Sequence, residues 1–258
     1  VSVMLIRAGV SPIATLPIAF LAGALAGMVT GLLNTALGIP GILASILTQI
    51  SLYSINLNIM GKANQPVSVD NYPLVVSLRY VTDGSVSRLL FFLGMIVFLL
   101  ALIAVMYWYF GTEQGHAIRA TGCNGNMARA QGINTNFIKV LALMISNGLV
   151  GLCGALYGQF QGASDVNMGR GAIVIGLAAV IIGEVLFGKF ASKRKLAFAF
   201  TLASVILGAV IYYMVYQFVL WLKMPSEDMK LFSAIVVAIF LAIPYLKEKR
   251  TLRKGASK

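Results

Sequence analysis

The chain reads as an all-α, polytopic transmembrane bundle of about seven complete spans plus the stump of an earlier one. Three observations lead there. Apolar residues make up 59% of the 258 and charged residues only 11%, whereas soluble domains carry roughly 25% charged residues. Several apolar runs approach or exceed the roughly 20 residues a helix needs to cross a hydrocarbon slab about 30 Å thick. None of these runs alternates polar and apolar residues as barrel strands do, and in lipid only helices or closed barrels satisfy every backbone group.

Spans are expected at Ala14 to Leu33, Gly41 to Met60, Leu89 to Phe110, Phe137 to Phe160, Ala172 to Phe187, Leu196 to Leu222 and Leu231 to Tyr245. The opening run, Val1 to Ile6, is too short to span and reads as the stump of an earlier helix. The whole of 1–258 is taken as one transmembrane domain, with 61–88 an external loop and 247–258 a basic cytoplasmic tail.

Lys and Arg orient the bundle. If Thr112 to Asn136 lies in the cytoplasm, so do the Lys189 to Lys195 loop and the tail from Lys247, each an even number of spans away. With Lys139 these regions hold thirteen of the twenty basic residues, while Asp70, Asp83, Asp165, Glu227 and Asp228 fall on the other side. The net charge of +12 is therefore a topology signal. Nucleic-acid binding would need basic residues clustered on one folded face with base-reading groups nearby, and neither pattern is present.

Small residues point to tight helix packing. Gly23, Gly27 and Gly31 recur every fourth residue, as do Gly154, Gly158 and Gly162, so each series offers a strip where another backbone can approach. Static packing is the favoured reading of each strip, and a moving gate contact is the alternative. Tyr107, Trp108, Tyr109, Tyr212, Tyr213, Tyr216 and Trp221 lie near expected span ends, where amphipathic rings suit the headgroup zone.

Polar residues inside spans carry a functional hypothesis by default. Gln49, Tyr53 and Asn56 recur at i, i+4 and i+7 and share one helical face, extended by Ser45. Ser146 and Asn147 lie near the middle of the fourth span, with Gln159 and Gln161 at its outer end. Together these groups suit a polar path for a small amphiphilic solute; interhelical hydrogen bonding is the plainer reading of each one singly. Glu184, the one acid inside a span, sits within reach of the basic cluster from Lys189, which favours an interfacial ion pair over a proton relay.

From Gln159 to Gly176, glycines at 162, 169, 171 and 176 interrupt the helix near the external face. Broken backbone at membrane depth is tolerated where protein or a water-filled cavity surrounds it. Gly162, Asp165, Asn167 and Gly169 are thus candidates for a gate or entrance, against an ordinary glycine-rich loop.

Between the third and fourth spans lies TEQGHAIRATGCNGNMARAQGINTN, Thr112 to Asn136, which reads as a basic surface helix suited to docking a soluble partner. Its Gly115, Ala117, Arg119, Ala120, Gly122, Asn124, Ala128, Arg129 and Gly132 resemble the coupling segment of permease subunits in bacterial binding-protein-dependent ABC importers of the branched-chain amino acid and ribose branch. LYSINLNIMGKANQP at Leu52 to Pro66, SNGLVGLCGALYGQFQG at Ser146 to Gly162, DVNMGRGAIVIGLAAVIIGEVLFG at Asp165 to Gly188, AGALAGMVTGLLNT at Ala22 to Thr35 and SEDMKLFSA at Ser226 to Ala234 are similar to the subgroup encoded beside lipoprotein receptors for tryptophan or tyrosine. Glu184 departs from the ribose-type pattern, where a second glycine is usual, which weakens any carry-over of sugar contacts.

The resemblance implies a second permease subunit completing one pore, two cytoplasmic ABC ATPase subunits beneath, an external solute-binding protein above, and an additional helix ahead of the present start. It implies alternating access for a small solute, an aromatic amino acid first among the candidates and a branched-chain amino acid, sugar or nucleoside next. The receptor would dock on the external loops, including Asp70 to Arg88.

The chain itself carries no GxxxxGK[ST] phosphate loop, and one His with two cysteines thirty residues apart matches no zinc spacing. No cofactor or metal site and no catalytic residue is expected. An ion-coupled secondary transporter would need paired broken helices, of which there is one region only.

Overall fold

The computed structural model describes residues 1–67, 74–77, 85–169, 172–191 and 197–221, together with 235, 238 and 242. The last expected span, the Asp70 to Arg88 stretch of the expected external loop, the Lys189 to Lys195 loop and the tail 247–258 fall largely or wholly outside them. The chain divides into two units, Val1–Met168 and Gly169–Lys258.

The first unit contains α1 (Ser2–Arg7), α2 (Pro12–Thr35), α3 (Gly41–Met60), β1 (Asn64–Pro66), α4 (Ser85–Phe110), α5 (Glu113–Cys123), α6 (Gly125–Ala130), α7 (Thr135–Gln161) and β2 (Ala163–Asp165). The second contains α8 (Ala172–Ala191) and α9 (Ala197–Trp221). Among the described residues α2, α3, α4, α7 and α9 are long and apolar enough to span a membrane. Helix α8 coincides with the fifth expected span and has a shorter described apolar stretch, Ile175–Phe187. The protein is a polytopic helical membrane protein.

Sequence chemistry explains the helix ends. Pro12 occupies the first turn of α2, where a missing N–H costs nothing. Helices α3 and α7 stop at Gly61 and Gly162, with φ +68° and +66°, a left-handed backbone that glycine adopts without a Cβ clash.

Antiparallel packing of α2 on α7 organises the first unit. A Cβ on Gly23 would overlap the Asn147 carbonyl oxygen, and one on Gly27 the Leu143 carbonyl oxygen. On Gly31 it would lie 2.9 Å from Val140 Cα. Gly148 and Gly151 reciprocate from α7, the former under the Phe20 ring and the latter against the Ala19 carbonyl. Backbones this close gain dispersion and Cα–H···O contacts, which drive association where lipid is as apolar as the side chains.

The α2 strip behaves as its spacing indicates; the α7 strip does not. Gly154 meets nothing within 4 Å; the contact face of α7 is Gly148, Gly151 and Ala155, continued by Gly158, which is buried but makes only ordinary contacts, at 3.5 Å to Val3. The i, i+4 spacing fails at Gly154, which faces open space.

Helix α3 joins through a buried hydroxyl pair, Thr30 Oγ1 donating to Thr48 Oγ1 at 2.9 Å. Beyond α3 and α7, β1 and β2 form an antiparallel ribbon pairing Asn64 with Asp165, Gln65 with Ser164 and Pro66 with Ala163. Val67 N–H donates to Gly162 O at 2.8 Å and Val166 N–H to Ala63 O at 3.0 Å, extending the tie. Helix α1 docks here, with Val3, Ile6, Val67 and Leu74 in one buried cluster.

In the second unit α8 and α9 also pack antiparallel at glycines: Gly183 abuts the Ser204 carbonyl and Gly208 the Ala179 carbonyl. Tyr212 is 3% exposed and packs with Ala178 and Ile182, so it is a core residue and not a headgroup anchor. The α9 helix continues nine residues past it, about 13 Å, which leaves Tyr212 well inside the span; Trp221, 75% exposed, remains at the end.

Gly27→Val should cost at least about 1–3 kcal/mol, because the overlapped atom is backbone and cannot rotate away. Gly154→Ala should leave folding intact. Thermal midpoints and monodisperse yield in detergent check both; equal losses would show that the two strips are equivalent.

Candidate functional site

The segment between α4 and α7 is built from three side-chain caps in sequence. Thr112 Oγ1 accepts from Gly115 N–H at 3.4 Å and starts α5. Asn124 stops α5 in an extended conformation and starts α6, its Oδ1 accepting from Asn126 and Met127 N–H, both at 3.1 Å. Asn134 starts α7 by accepting from Phe137 N–H at 3.2 Å. Each cap satisfies amides that a helix start leaves orphaned. The sequence expectation of one short helix becomes two with a fixed bend between them.

Of the residues singled out here, two face inward. Gly115 lies so close to the backbone of Tyr109 and Phe110 that any side chain would collide, and Ala128 is 2% exposed. Ala117 is half-buried; Arg119, Ala120, Gly122, Asn124, Arg129 and Gly132 are exposed. Gly122 has open space around it, and Gly132 holds a positive φ of +84° at the turn into α7. Arg129 does more than present charge: its Nε and Nη2 donate to Thr135 Oγ1 at 3.2 and 3.1 Å, tying α6 to the first residue of α7. Inward glycine and alanine, outward polar groups and a brace to the next span describe a platform rigidly joined to α4 and α7.

The polar residues of the spans separate into different environments. Gln49 and Tyr53 are exposed on α3 and Asn56 is half-buried, while the α2-facing edge of the same helix is Ala44 and Thr48. Ser146 is exposed on α7. Asn147 is half-buried, its Nδ2 donating to Leu143 O at 2.9 Å within its own helix. Gln159 lies thirteen residues beyond Ser146, which at 100° per residue puts it about 140° around α7, so the two do not share a face.

Gln159 is 1% exposed and fully engaged. Its Nε2 donates to Pro12 O at 3.1 Å and to Thr15 Oγ1 at 3.2 Å, and its Oε1 accepts from Val75 N–H at 3.2 Å. Thr15 Oγ1 in turn bonds Ser2 Oγ at 2.8 Å. The residue therefore links α1, α2, α7 and the segment 74–77. Beside it, Arg7 donates to Gln65, which donates to Met60 O. Neither Thr15 nor Gln65 stood out in the sequence, because a single hydroxyl or amide near a span end has no periodicity to betray it.

Gly162 and Asp165 belong to the ribbon: Gly162 O accepts from Val67 N–H, and Asp165 pairs with Asn64 while accepting from Asn167 N–H at 2.6 Å. Gly169 lies in the second unit, where its carbonyl accepts from Ala172 N–H at 3.2 Å as α8 begins. Near the ribbon a cavity of about 440 Å³ is lined by Leu16, Val75, Val76, Leu90, Phe91, Gly94, Met95, Phe98 and Leu156. Its side chains are all apolar, unlike the exposed faces of α3 and α7.

Comparison with known proteins shows the family to which this architecture belongs. Residues 1–244 match the family model described as branched-chain amino acid transport system / permease component. The chain belongs to this permease family. The permease is 39% identical over 234 residues to a tyrosine transport system permease protein of Clostridioides difficile, covering 91% of this chain and 74% of the relative. It is 29% identical to an uncharacterized protein of Rickettsia prowazekii, over 87% of this chain and 76% of that one. An autoinducer 2 import system permease protein, LsrC, of Yersinia pseudotuberculosis is 27% identical over 86% of this chain and 59% of its own length. No solved structure matches the permease. It is accordingly an ABC transporter permease, a multi-pass protein of the bacterial inner membrane and the kind of subunit that is not itself catalytic.

Replacing Gln159 with Leu should strand Val75 N–H, while Pro12 O keeps Thr15 Oγ1 as a donor, and cost about 1–3 kcal/mol for the stranded amide. The detergent-solubilised permease should melt earlier, and hydrogen exchange at Val75 should rise. Unchanged exchange there would mean that the amide finds another partner.

Proposed function

We propose that the permease imports an aromatic amino acid, tyrosine or tryptophan, by alternating access powered by a separate ATPase. What carries the reading is the platform of α5 and α6: an exposed, capped double helix fixed to the ends of two spans transmits a push from outside the bilayer to the bundle. Two cytoplasmic ATPase subunits grip Gly115 to Gly132 across two permease copies, and an external solute-binding lipoprotein delivers solute at the ribbon end. This orients the platform and the C-terminus to the cytoplasm, in keeping with the distribution of Lys and Arg.

The solute path draws on Gln49, Tyr53 and Asn56 of α3 and Ser146 and Asn147 of α7, with Gln159 bracing its external end. Gly162, Asp165 and Asn167 form the entrance. Because α7 is locked to α2 by glycine contacts and to α3 by the ribbon, closure of the ATPases moves these helices as a group rather than bending one. The tyrosine permease relative, the longest and most identical of the matches quoted, supports the aromatic class over sugars or nucleosides. The autoinducer 2 relative keeps another small polar solute as the second reading.

Titrating the receptor encoded nearby with tyrosine, tryptophan, leucine and ribose tests the solute class; binding of ribose alone would overturn the aromatic assignment. For the coupling, Gly122→Glu is a cleaner probe than a change at Arg129, which also holds Thr135. In proteoliposomes with the ATPase, Gly122→Glu should reduce coupled uptake roughly tenfold or more, since each tenfold needs only about 1.4 kcal/mol of lost docking. Membrane insertion should be normal. Fully coupled uptake in this variant would place the motor elsewhere.

A further inference from the structure

The face of α7 turned away from α2 is chemically unlike the exposed face of α4. Along α4 no residue of its most apolar window is buried, and between its polar or aromatic ends it exposes hydrocarbon side chains such as Leu93, Ile96, Val97 and Leu100. That surface suits lipid. On α7 the exposed line is Ser146, Val150, Cys153 and Tyr157, at i, i+4, i+7 and i+11, followed by Gln161 one turn further. Gly154 beside it is open, so the line has a smooth shoulder. Tyr157 is 44% exposed, and its hydroxyl accepts from Gln161 Nε2 at 2.7 Å.

From Ser146 to Gln161 the line runs about 22 Å, most of a hydrocarbon thickness of about 30 Å. Polar groups at that depth are costly against lipid and mark cavities or pathways.

We infer that this face of α7, with the Tyr157–Gln161 pair at its ribbon end, is a water-lined wall of the translocation path and the point where an amphiphilic solute with an aromatic ring is selected. The inference rests on the import reading and deepens it. Ser146 is shared with the path proposed above; Cys153, Tyr157 and Gln161 are added, and Gln159, on another face, is a brace. The phenol ring of Tyr157 supplies a flat apolar surface for a solute ring, while the Gln161 amide carbonyl accepts from an ammonium group. The apolar cavity near the ribbon offers no such polar partner.

Cys153 makes the wall testable without introducing a reporter. The Cys thiolate attacks the sulfenyl sulfur of a methanethiosulfonate, forming a mixed disulfide and releasing methanesulfinate, and generating that thiolate requires water at the sulfur. The complex of permease, ATPase and receptor in proteoliposomes is treated with a charged, membrane-impermeant methanethiosulfonate, and sites are resolved by peptide mass. Cys153 and an introduced Val150→Cys should label, and saturating tyrosine should slow labelling severalfold; Ile96→Cys on α4 should stay unlabelled. Tyr157→Ala should raise the KM for uptake severalfold while receptor-stimulated ATP hydrolysis persists, and Tyr157→Phe should retain more of the affinity than Tyr157→Ala. Cys153 and Val150→Cys remaining unlabelled while tyrosine uptake proceeds would overturn the wall and leave the import reading standing. Labelling indifferent to solute, with unaltered KM in Tyr157→Ala, would overturn selection at this point. Absence of uptake of every amino acid tested by the unmodified complex would instead remove the import reading on which the wall depends.

Discussion

Close approach of α2 and α7 is the constraint from which the rest of the first unit follows. In water, two helices associate because apolar surface leaves the solvent; in lipid that gain disappears, and what remains is how closely two backbones can fit. Gly23, Gly27 and Gly31 on one helix, and Gly148 and Gly151 on the other, remove the side chains that would hold them apart. Once the pair is set, the Thr30–Thr48 hydroxyl contact brings in α3, and the β1–β2 ribbon ties the far ends of α3 and α7. Three helices thereby share one mechanical fate.

That arrangement gives the platform its meaning. A soluble motor can act on a membrane bundle only through a part that stands in water and is stiffly connected to the spans. Caps at Thr112, Asn124 and Asn134 fix the path of the chain through α5 and α6, and Arg129 bonds forward to the start of α7. Gly115 lets α5 lie against the end of α4. In the import mechanism we propose, force delivered to the exposed side reaches α7 and, through the glycine contact, α2. At the opposite end Gln159 closes the same structure by holding α1, α2 and segment 74–77 to α7.

Much of this was legible in the residues, for identifiable reasons. The positions of five spans, α2, α3, α4, α7 and α9, followed from apolar run length, and the α2 glycine contact from a spacing of four with little else polar nearby. On α7 glycine is frequent on two adjoining faces, and only the partner helix shows that Gly148 and Gly151 are covered while Gly154 is open. Tyr212 looked like a headgroup anchor because the neighbouring tyrosines and Trp221 drew the eye to a span end; the registration of α9 on α8 buries it instead. Thr15 and Gln65 carried no signal, since a lone polar residue is informative only through its distant partner.

Composition, run length and the Lys and Arg asymmetry by themselves determined that this is a polytopic helical membrane protein with a polar platform between two spans, because hydrocarbon admits so few backbone solutions. Family resemblance was likewise written in short motifs that need no coordinates. Which side of each helix meets protein was decided only in three dimensions. A polar residue in a span has the same letter whether it braces, as Gln159 does, or stands open, as Ser146 and Tyr157 do; the difference lies in the atoms that other segments bring to it.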